Sequence, residues 1–273
     1  MTPAVNTCFS ILASALALPS ITVTDRDMDG RLNYPPGTSK QQCGIHQRHW
    51  CSSEEDTLSL ARKAMTQALE QAQLSWQDLD IVLCAQAVSY QLLPCNASIL
   101  LADMDVPPHI DTFDIHASCL GFLKALHVCH GLWALKPQAN ILIVNSEWTS
   151  LGIRPERPAE YSLFGDAATA FILGPQNPCK GSYHLQGLSF HNDCRYWESS
   201  QCRGGGTRTH PHNREQGIDL SSFFFEMQGH QLFARALKQL PALLDEVEQQ
   251  SQLALSDYDA IIPHVGSQKA YSR

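Results

Sequence analysis

The stretch Leu74-Ser75-Trp76-Gln77-Asp78-Leu79-Asp80-Ile81-Val82-Leu83-Cys84 joins an acidic turn to a short apolar run. Consecutive apolar residues bounded by turn residues read as a strand buried on both faces. Ahead of it, Leu58, Ala61, Met65, Ala68 and Ala72 recur at helical spacing, so residues 58–73 read as an amphipathic helix. Ser53 to Asp56 offers a capping box before that helix. The same order returns downstream. A helical stretch from about Phe224 to Gln250, expected to break near Pro241 for want of an N–H, leads to Leu253-Ala254-Leu255-Ser256-Asp257-Tyr258-Asp259 and the apolar run Ala260-Ile261-Ile262. Leu74, Asp78 and Asp80 match Leu253, Asp257 and Asp259 at a constant offset of 179 residues. Helix, acidic turn and buried strand, repeated, imply an internally duplicated α/β protein with a mostly parallel sheet covered on both faces. The expected halves are residues 1–175 and 176–273.

Other segments fit this plan. Asn140-Ile141-Leu142-Ile143-Val144-Asn145 reads as a central strand, and Ala167 to Leu173, after the Gly165 turn, as another. The N-terminal run Phe9 to Leu18 imitates a signal peptide but lacks the positive charge ahead of its apolar part, so a buried first strand is the better reading. Residues 192–217 are polar and rich in Gly and His, the composition of a loop between the halves. Adding the repeat offset to Cys119 points near position 298, beyond Arg273, so the second half is expected to be incomplete.

The formal charge of -8, without any long Lys/Arg run, argues against nucleic acid as a partner. The ten cysteines are scattered and none forms a Cys-x-x-Cys pair, which fits reduced thiols in a cytoplasmic protein better than disulfides or a zinc ribbon. His210 and His212 with Cys194 and Cys202 lack the regular spacing of a metal site, and no metal is expected. No apolar run is expected to span a membrane.

The chemistry concentrates in Phe113-Asp114-Ile115-His116-Ala117-Ser118-Cys119-Leu120-Gly121-Phe122. Here a strand feeds an apolar helix, and Cys119 stands at its first turn. The positive end of a helix favours a thiolate there and can aim N–H groups at a developing oxyanion. Gly121 allows another segment to approach closely. The helix, residues 119–136, is apolar on nearly all sides and is expected to be buried. His264, at the end of the second-half strand after Pro263, lies where α/β sheets present catalytic groups. The bland alternative for Cys119 is a small buried hydrophobe, and for a histidine a surface or capping residue.

These residues resemble the ketoacyl-synthase III branch of the thiolase superfamily. The likeness extends over essentially the whole chain: Thr22-Val23-Thr24-Asp25, Cys43-Gly44-Ile45-His46-Gln47-Arg48, Asp114 to Phe122, Phe164-Gly165-Asp166-Ala167-Ala168 and Pro263-His264. The resemblance implies a five-layered α-β-α-β-α fold of two duplicated halves, a homodimer, and acyl-CoA or acyl carrier protein as donor. It implies that Cys119 carries the acyl group as a thioester. A malonyl thioester then loses carbon dioxide and attacks that group, and His264 stabilises the enolate. No resident cofactor is implied. Leu93, before Pro94, stands where the family places a bulky residue by the acyl pocket or dimer contact, and Lys269 matches a basic residue that meets carrier or cofactor phosphate. The family's Asn, in a Gly-Asn turn beyond the His, has no counterpart here, and Gln42 replaces an Arg that commonly meets coenzyme A. A Cys–His acyltransferase or thioesterase, and a non-catalytic or degenerate partner subunit, are the competing expectations.

Overall fold

The computed structural model describes residues 7–177, 179–210, 212 and 217–264. Its strands are β1 (Thr7–Ala17), β2 (Ile21–Thr24), β3 (Gln47–Trp50), β4 (Ile81–Cys84), β5 (Asp111–Asp114), β6 (Ile141–Glu147), β7 (Ala167–Gly174), β8 (Tyr183–Leu185), β9 (Ser200–Gln201) and β10 (Glu226–Met227). Its helices are α1 (Asp25–Leu32), α2 (Thr38–Cys43), α3 (Thr57–Ala72), α4 (Asn96–Leu101), α5 (Gly121–Leu135), α6 (Pro158–Leu163) and α7 (Gly229–Ser251). The N-terminal apolar run is a strand, as its flanks required.

Six strands form the main sheet in the order β5-β4-β6-β7-β1-β8. Strand β4 lies parallel to β5 and β6, while β6–β7, β7–β1 and β1–β8 are antiparallel. The sheet is therefore mixed, not mostly parallel. An apolar run reports burial on both faces and carries no information about direction, so the sequence pattern could not distinguish the two.

The alternation of side chains along the strands builds two cores. Val82, Cys84, Leu142, Val144, Ala170 and Ile172 face α3, whose Leu60, Ala61, Ala64, Met65 and Ala68 are buried against them. Ile81, Leu83, Ile141, Ile143 and Leu173 face α5. Each fully buried Ile or Leu contributes roughly 1.5–3 kcal/mol, which makes β4 and β6 the mechanical centre of the sheet. On α5 only Gly121, Ala125, Cys129 and Trp133 are buried. They recur every fourth residue and form one stripe, with Trp133 stacked on Phe9 at 5.4 Å. The helix is thus half-buried, because the sheet covers one side of it while Leu120, Leu123 and Leu135 remain exposed. By length and composition Ser118–Leu135 could also cross a membrane, contrary to the expectation from the sequence; the Ala125–Trp133 stripe instead packs on the sheet.

Three local expectations are corrected. Helix α3 is capped by Asp56, which accepts from the Ser59 N–H at 2.7 Å while Ser59 Oγ accepts from the Asp56 N–H. Glu55 is instead occupied by Ser20 and Ser52. Helix α7 runs unbroken through Pro241; the carbonyl that loses its N–H partner to Pro241 belongs to Leu237, an exposed residue. Residues 260–262 form no strand, and Ile262 is 92% exposed. Its counterpart β4 is a strand because β5 and β6 pair with it on both sides; among the described residues no strand pairs with 260–262.

Candidate active site

At the end of β5 the Ile115 N–H donates to the Cys84 carbonyl at 2.8 Å, continuing the sheet one residue further. The chain then turns sharply. Ser118 has φ +48°, a left-handed conformation for a non-glycine residue, which costs about 1–3 kcal/mol and persists only where the surroundings enforce it. A 3₁₀ turn, Ser118–Leu120, carries Cys119, and α5 begins at Gly121. The thiol is exposed. Gly121 explains the sharpness: a Cβ there would lie 2.1 Å from the Ala85 carbonyl oxygen. The start of α5 is pressed against the end of β4, so the close approach expected at this glycine is present. Burial pushes the Cys84 and Cys129 thiols up to about 12.

The polar groups around this elbow converge on the segment after β4. Asn145, near the end of β6, donates to the Ala85 carbonyl. Glu147, two residues on, accepts from the Ala87 N–H and, at 3.3 Å, from the Val88 N–H. His116 Nε2 donates to the Ala87 carbonyl at 2.9 Å, and Gln86 Nε2 to the Val88 carbonyl at 2.8 Å. Burial raises the Glu147 pKa, opposed by its hydrogen bonds from Ala87 and Val88 and by the charge of His116. Sequence reasoning missed Glu147 and Asn145. The available signal was polar residues closing an otherwise apolar buried strand, Ile141 to Glu147.

Two aspartates of the resemblance motifs act as struts. Asp114 accepts from the Asn96 N–H (2.7 Å), the Ala97 N–H (2.8 Å) and Asn96 Nδ2 (2.9 Å), supplying from β5 the cap that α4 lacks of its own. Asp166 is 2% exposed and accepts from the Cys51 N–H, the Ser150 N–H and Ser150 Oγ at 2.6–2.8 Å. It fastens the turn before β7 to the chain after β3 and to the loop after β6.

The remaining sequence-derived site residues lie as follows. Leu93 is in the loop between β4 and α4 and is 81% exposed. His264 lies on an exposed, irregular segment, not at the end of a buried strand, for the reason given for residues 260–262. No hydrogen bond joins it to Cys119. Lys269 lies outside the described residues.

The residues around this elbow match a known pattern. The family model for 3-oxoacyl-[acyl-carrier-protein (ACP)] synthase III matches residues 113–193, which begin just before the turn. A beta-ketoacyl-[acyl-carrier-protein] synthase III of Oleidesulfovibrio alaskensis is 29% identical over 255 residues, covering 93% of this chain and 76% of its own. The chain is thus similar to 3-oxoacyl-[acyl-carrier-protein] synthases III, over residues 113–193 in the family model and along most of its length in this relative. A 3-oxopimeloyl-[acyl-carrier-protein] synthase of Rhodothermus marinus is also 29% identical, with 93% of this chain and 73% of its own covered. The crystal structure of 3-oxoacyl-(acyl carrier protein) synthase III from Pseudomonas aeruginosa superimposes with a TM-score of 0.81 at 19% identity, covering 97% of this chain and 78% of that one. The fold is therefore thiolase-like, and the chain spans about three quarters of the length of those relatives.

Proposed function

We propose that this chain is an acyl-transferring condensing enzyme of the 3-oxoacyl synthase III type. The observation that carries the reading is the exposed Cys119 on a strained turn, held at the rim of the sheet by a glycine that admits no side chain. The Cys119 sulfur attacks the carbonyl of an acyl thioester. Coenzyme A or a carrier-protein thiol leaves with the proton, and an acyl-enzyme remains. A malonyl thioester then loses carbon dioxide, and the carbon so freed attacks the acyl carbonyl. The 3-oxoacyl thioester departs and Cys119 is regenerated. Malonyl and acyl thioesters are substrates here, and no resident cofactor takes part.

In this reading His264 stabilises the enolate, Leu93 borders the acyl chain, and Lys269 meets the phosphate of the donor. A homodimer in the cytoplasm belongs to the same reading. It is supported by ten free cysteines and by an exposed apolar loop that includes Val88, Leu92 and Leu93. Incubation with radiolabelled acyl-coenzyme A tests the nucleophile: label on Cys119 that disappears in Cys119→Ala supports it, and equal labelling of the two proteins refutes it. A second reading is acyl transfer or thioester hydrolysis by Cys119 and His264 without condensation. Free acid as the product would support it, and a 3-oxoacyl thioester would support condensation.

A further inference from the structure

Arg48 of β3 is 5% exposed, and a guanidinium cannot shed its proton to ease that burial. Among the described residues its hydrogen bonds fall short of its needs. Nη1 donates to the Val23 carbonyl at 3.4 Å, whereas Nε and Nη2 have no acceptor. Those two N–H groups form one side of the guanidinium, the fork that takes both oxygens of a carboxylate-like anion. The charges that act most strongly on it belong to Cys43 and, behind it, Asp25. Cys43 closes α2 and is 8% exposed. Its Sγ donates to the Ser39 carbonyl at 3.1 Å and lies 3.7 Å from the Ser162 carbonyl. Ser162 of α6 is 2% exposed, and its Oγ is also without a partner. Three buried donors, Arg48 Nε, Arg48 Nη2 and Ser162 Oγ, therefore belong to residues that meet at one thiol. A buried donor without an acceptor is costly, and a thiol is a weak acceptor.

We propose that Cys43 is a site of oxidation by hydrogen peroxide, and that its sulfinate is seated in the free fork of Arg48. The thiol proton is spent on the Ser39 carbonyl, so the sulfur lone pairs are left for the oxidant. A lone pair attacks one peroxide oxygen. The O–O bond breaks, an S–O bond forms, and the thiol proton leaves with the other oxygen as water. A second peroxide repeats the exchange on the sulfenic acid, giving the sulfinic acid and a second water. Sulfur gives up two electrons at each step, and the peroxide takes them. The sulfinic acid then loses its proton to solvent, which leaves an anion with two acceptor oxygens. Nε and Nη2 donate to those oxygens side by side, in the geometry a guanidinium uses for a carboxylate. Ser162 Oγ is a third donor beside them. The carboxyl end of α2 disfavours negative charge, but that helix has six residues, and the full guanidinium charge outweighs it. This site is separate from Cys119 and does not depend on the acyl-transfer reading.

The test has two arms on the full chain. In the first, hydrogen peroxide is added and each cysteine is followed by peptide mapping. Cys43 is expected to gain two oxygen atoms at least about tenfold faster than the buried Cys84 and Cys129. In Arg48→Lys, which keeps the charge but lacks the fork, that rate is expected to fall at least about fivefold. Oxidation of Cys43 no faster than that of Cys84 and Cys129 overturns the modification site, and an equal rate in Arg48→Lys overturns the part given to Arg48. The second arm needs no oxidant and leaves Arg48 intact. Cys43→Asp sets two carboxylate oxygens where the sulfinate oxygens would lie, and Cys43→Asn is its neutral counterpart. An unpaired buried carboxylate would make the aspartate variant the less stable of the two. With the fork to receive it, its folding constant from urea unfolding is expected to exceed that of Cys43→Asn at least about tenfold. An aspartate variant no more stable than the asparagine one overturns the anion seat, whatever the first arm shows.

Discussion

Replacing Gly121 by alanine is the sharpest test of how the proposed nucleophile, Cys119, is held. The new Cβ would lie 2.1 Å from the Ala85 carbonyl oxygen, where ordinary contact begins at 3.4 Å. The start of α5 must therefore retreat by about 1.3 Å, the difference between the two distances. Ala85 cannot yield easily, because Asn145 donates to that same oxygen and the Ala85 N–H is bonded to Val144 at 2.8 Å. Overpacking of this kind costs about 1–3 kcal/mol. The helical preference of alanine offsets up to about 1 kcal/mol, leaving a net loss of about 1 kcal/mol, rising to about 2 at the upper end of the overpacking range. Cys119 lies two residues before Gly121 and moves with the helix, and a misplacement of about 1 Å lowers the rate roughly a hundredfold. The control is Gly131→Ala on the same helix, where an added Cβ meets nothing within 4 Å; it should stabilise by up to about 1 kcal/mol and leave acylation intact. Urea unfolding and the rate of Cys119 acylation, followed by intact mass, are the assays. The reasoning fails if both variants unfold and acylate alike.

Four further outcomes follow from the same geometry. At pH 8 a thiol-alkylating reagent should modify Cys119, Cys179, Cys194 and Cys202, which are exposed, and spare Cys84 and Cys129, whose thiols burial pushes up to about 12; peptide mapping reads the pattern, and early labelling of Cys84 would contradict it. Asp114→Ala removes the bonds that cap α4 and should cost about 1–3 kcal/mol, with amide exchange at Asn96 and Ala97 quickening before that of β4. Hydrogen bonds from the Ser52 N–H and from Ser20 lower Glu55 from 4.5 to about 2. Its stabilisation is therefore full above the ordinary value and is lost as pH falls through about 2, and Glu55→Gln should flatten the acid limb of the stability curve in that window. Burial pushes Glu147 the other way, so its contribution is full below the ordinary carboxylate value and fades as pH rises through the raised one; chemical denaturation of Glu147→Gln across that range should lack this decline.

Much of the architecture was legible because burial writes itself into short apolar runs. Ile81 to Cys84 and Ile141 to Val144 announce strands whichever way they point, and for that reason their direction was hidden. The elbow could be read because strand, turn and apolar helix follow one another without interruption from Phe113 to Phe122. The half-exposure of α5 could not, since composition shows that a face is apolar and not whether anything covers it. Residues 260–262 show the same limit: an apolar triplet becomes a strand only beside partners, and sequence similarity to β4 supplies none. The bonds around Ala87 were invisible for another reason. They join residues about 30 and 60 positions apart, from His116 and Glu147 to one peptide, and no periodicity encodes such a meeting. Asp166 stood out as a motif, yet its use as a three-way strut emerges only from its partners.

The left-handed Ser118 has a consequence for the order in which this protein becomes reactive. Its torsion is uphill in a free chain and is sustained only by the finished sheet on one side and the docked helix on the other. A nascent or partly melted molecule therefore carries at position 119 an ordinary thiol with no preferred bearing. The set bearing of Cys119 thus depends on the finished sheet and the docked helix together. In the proposed reading, loss of Cys119 acylation on warming is expected to precede global melting, since strained local structure opens before the core.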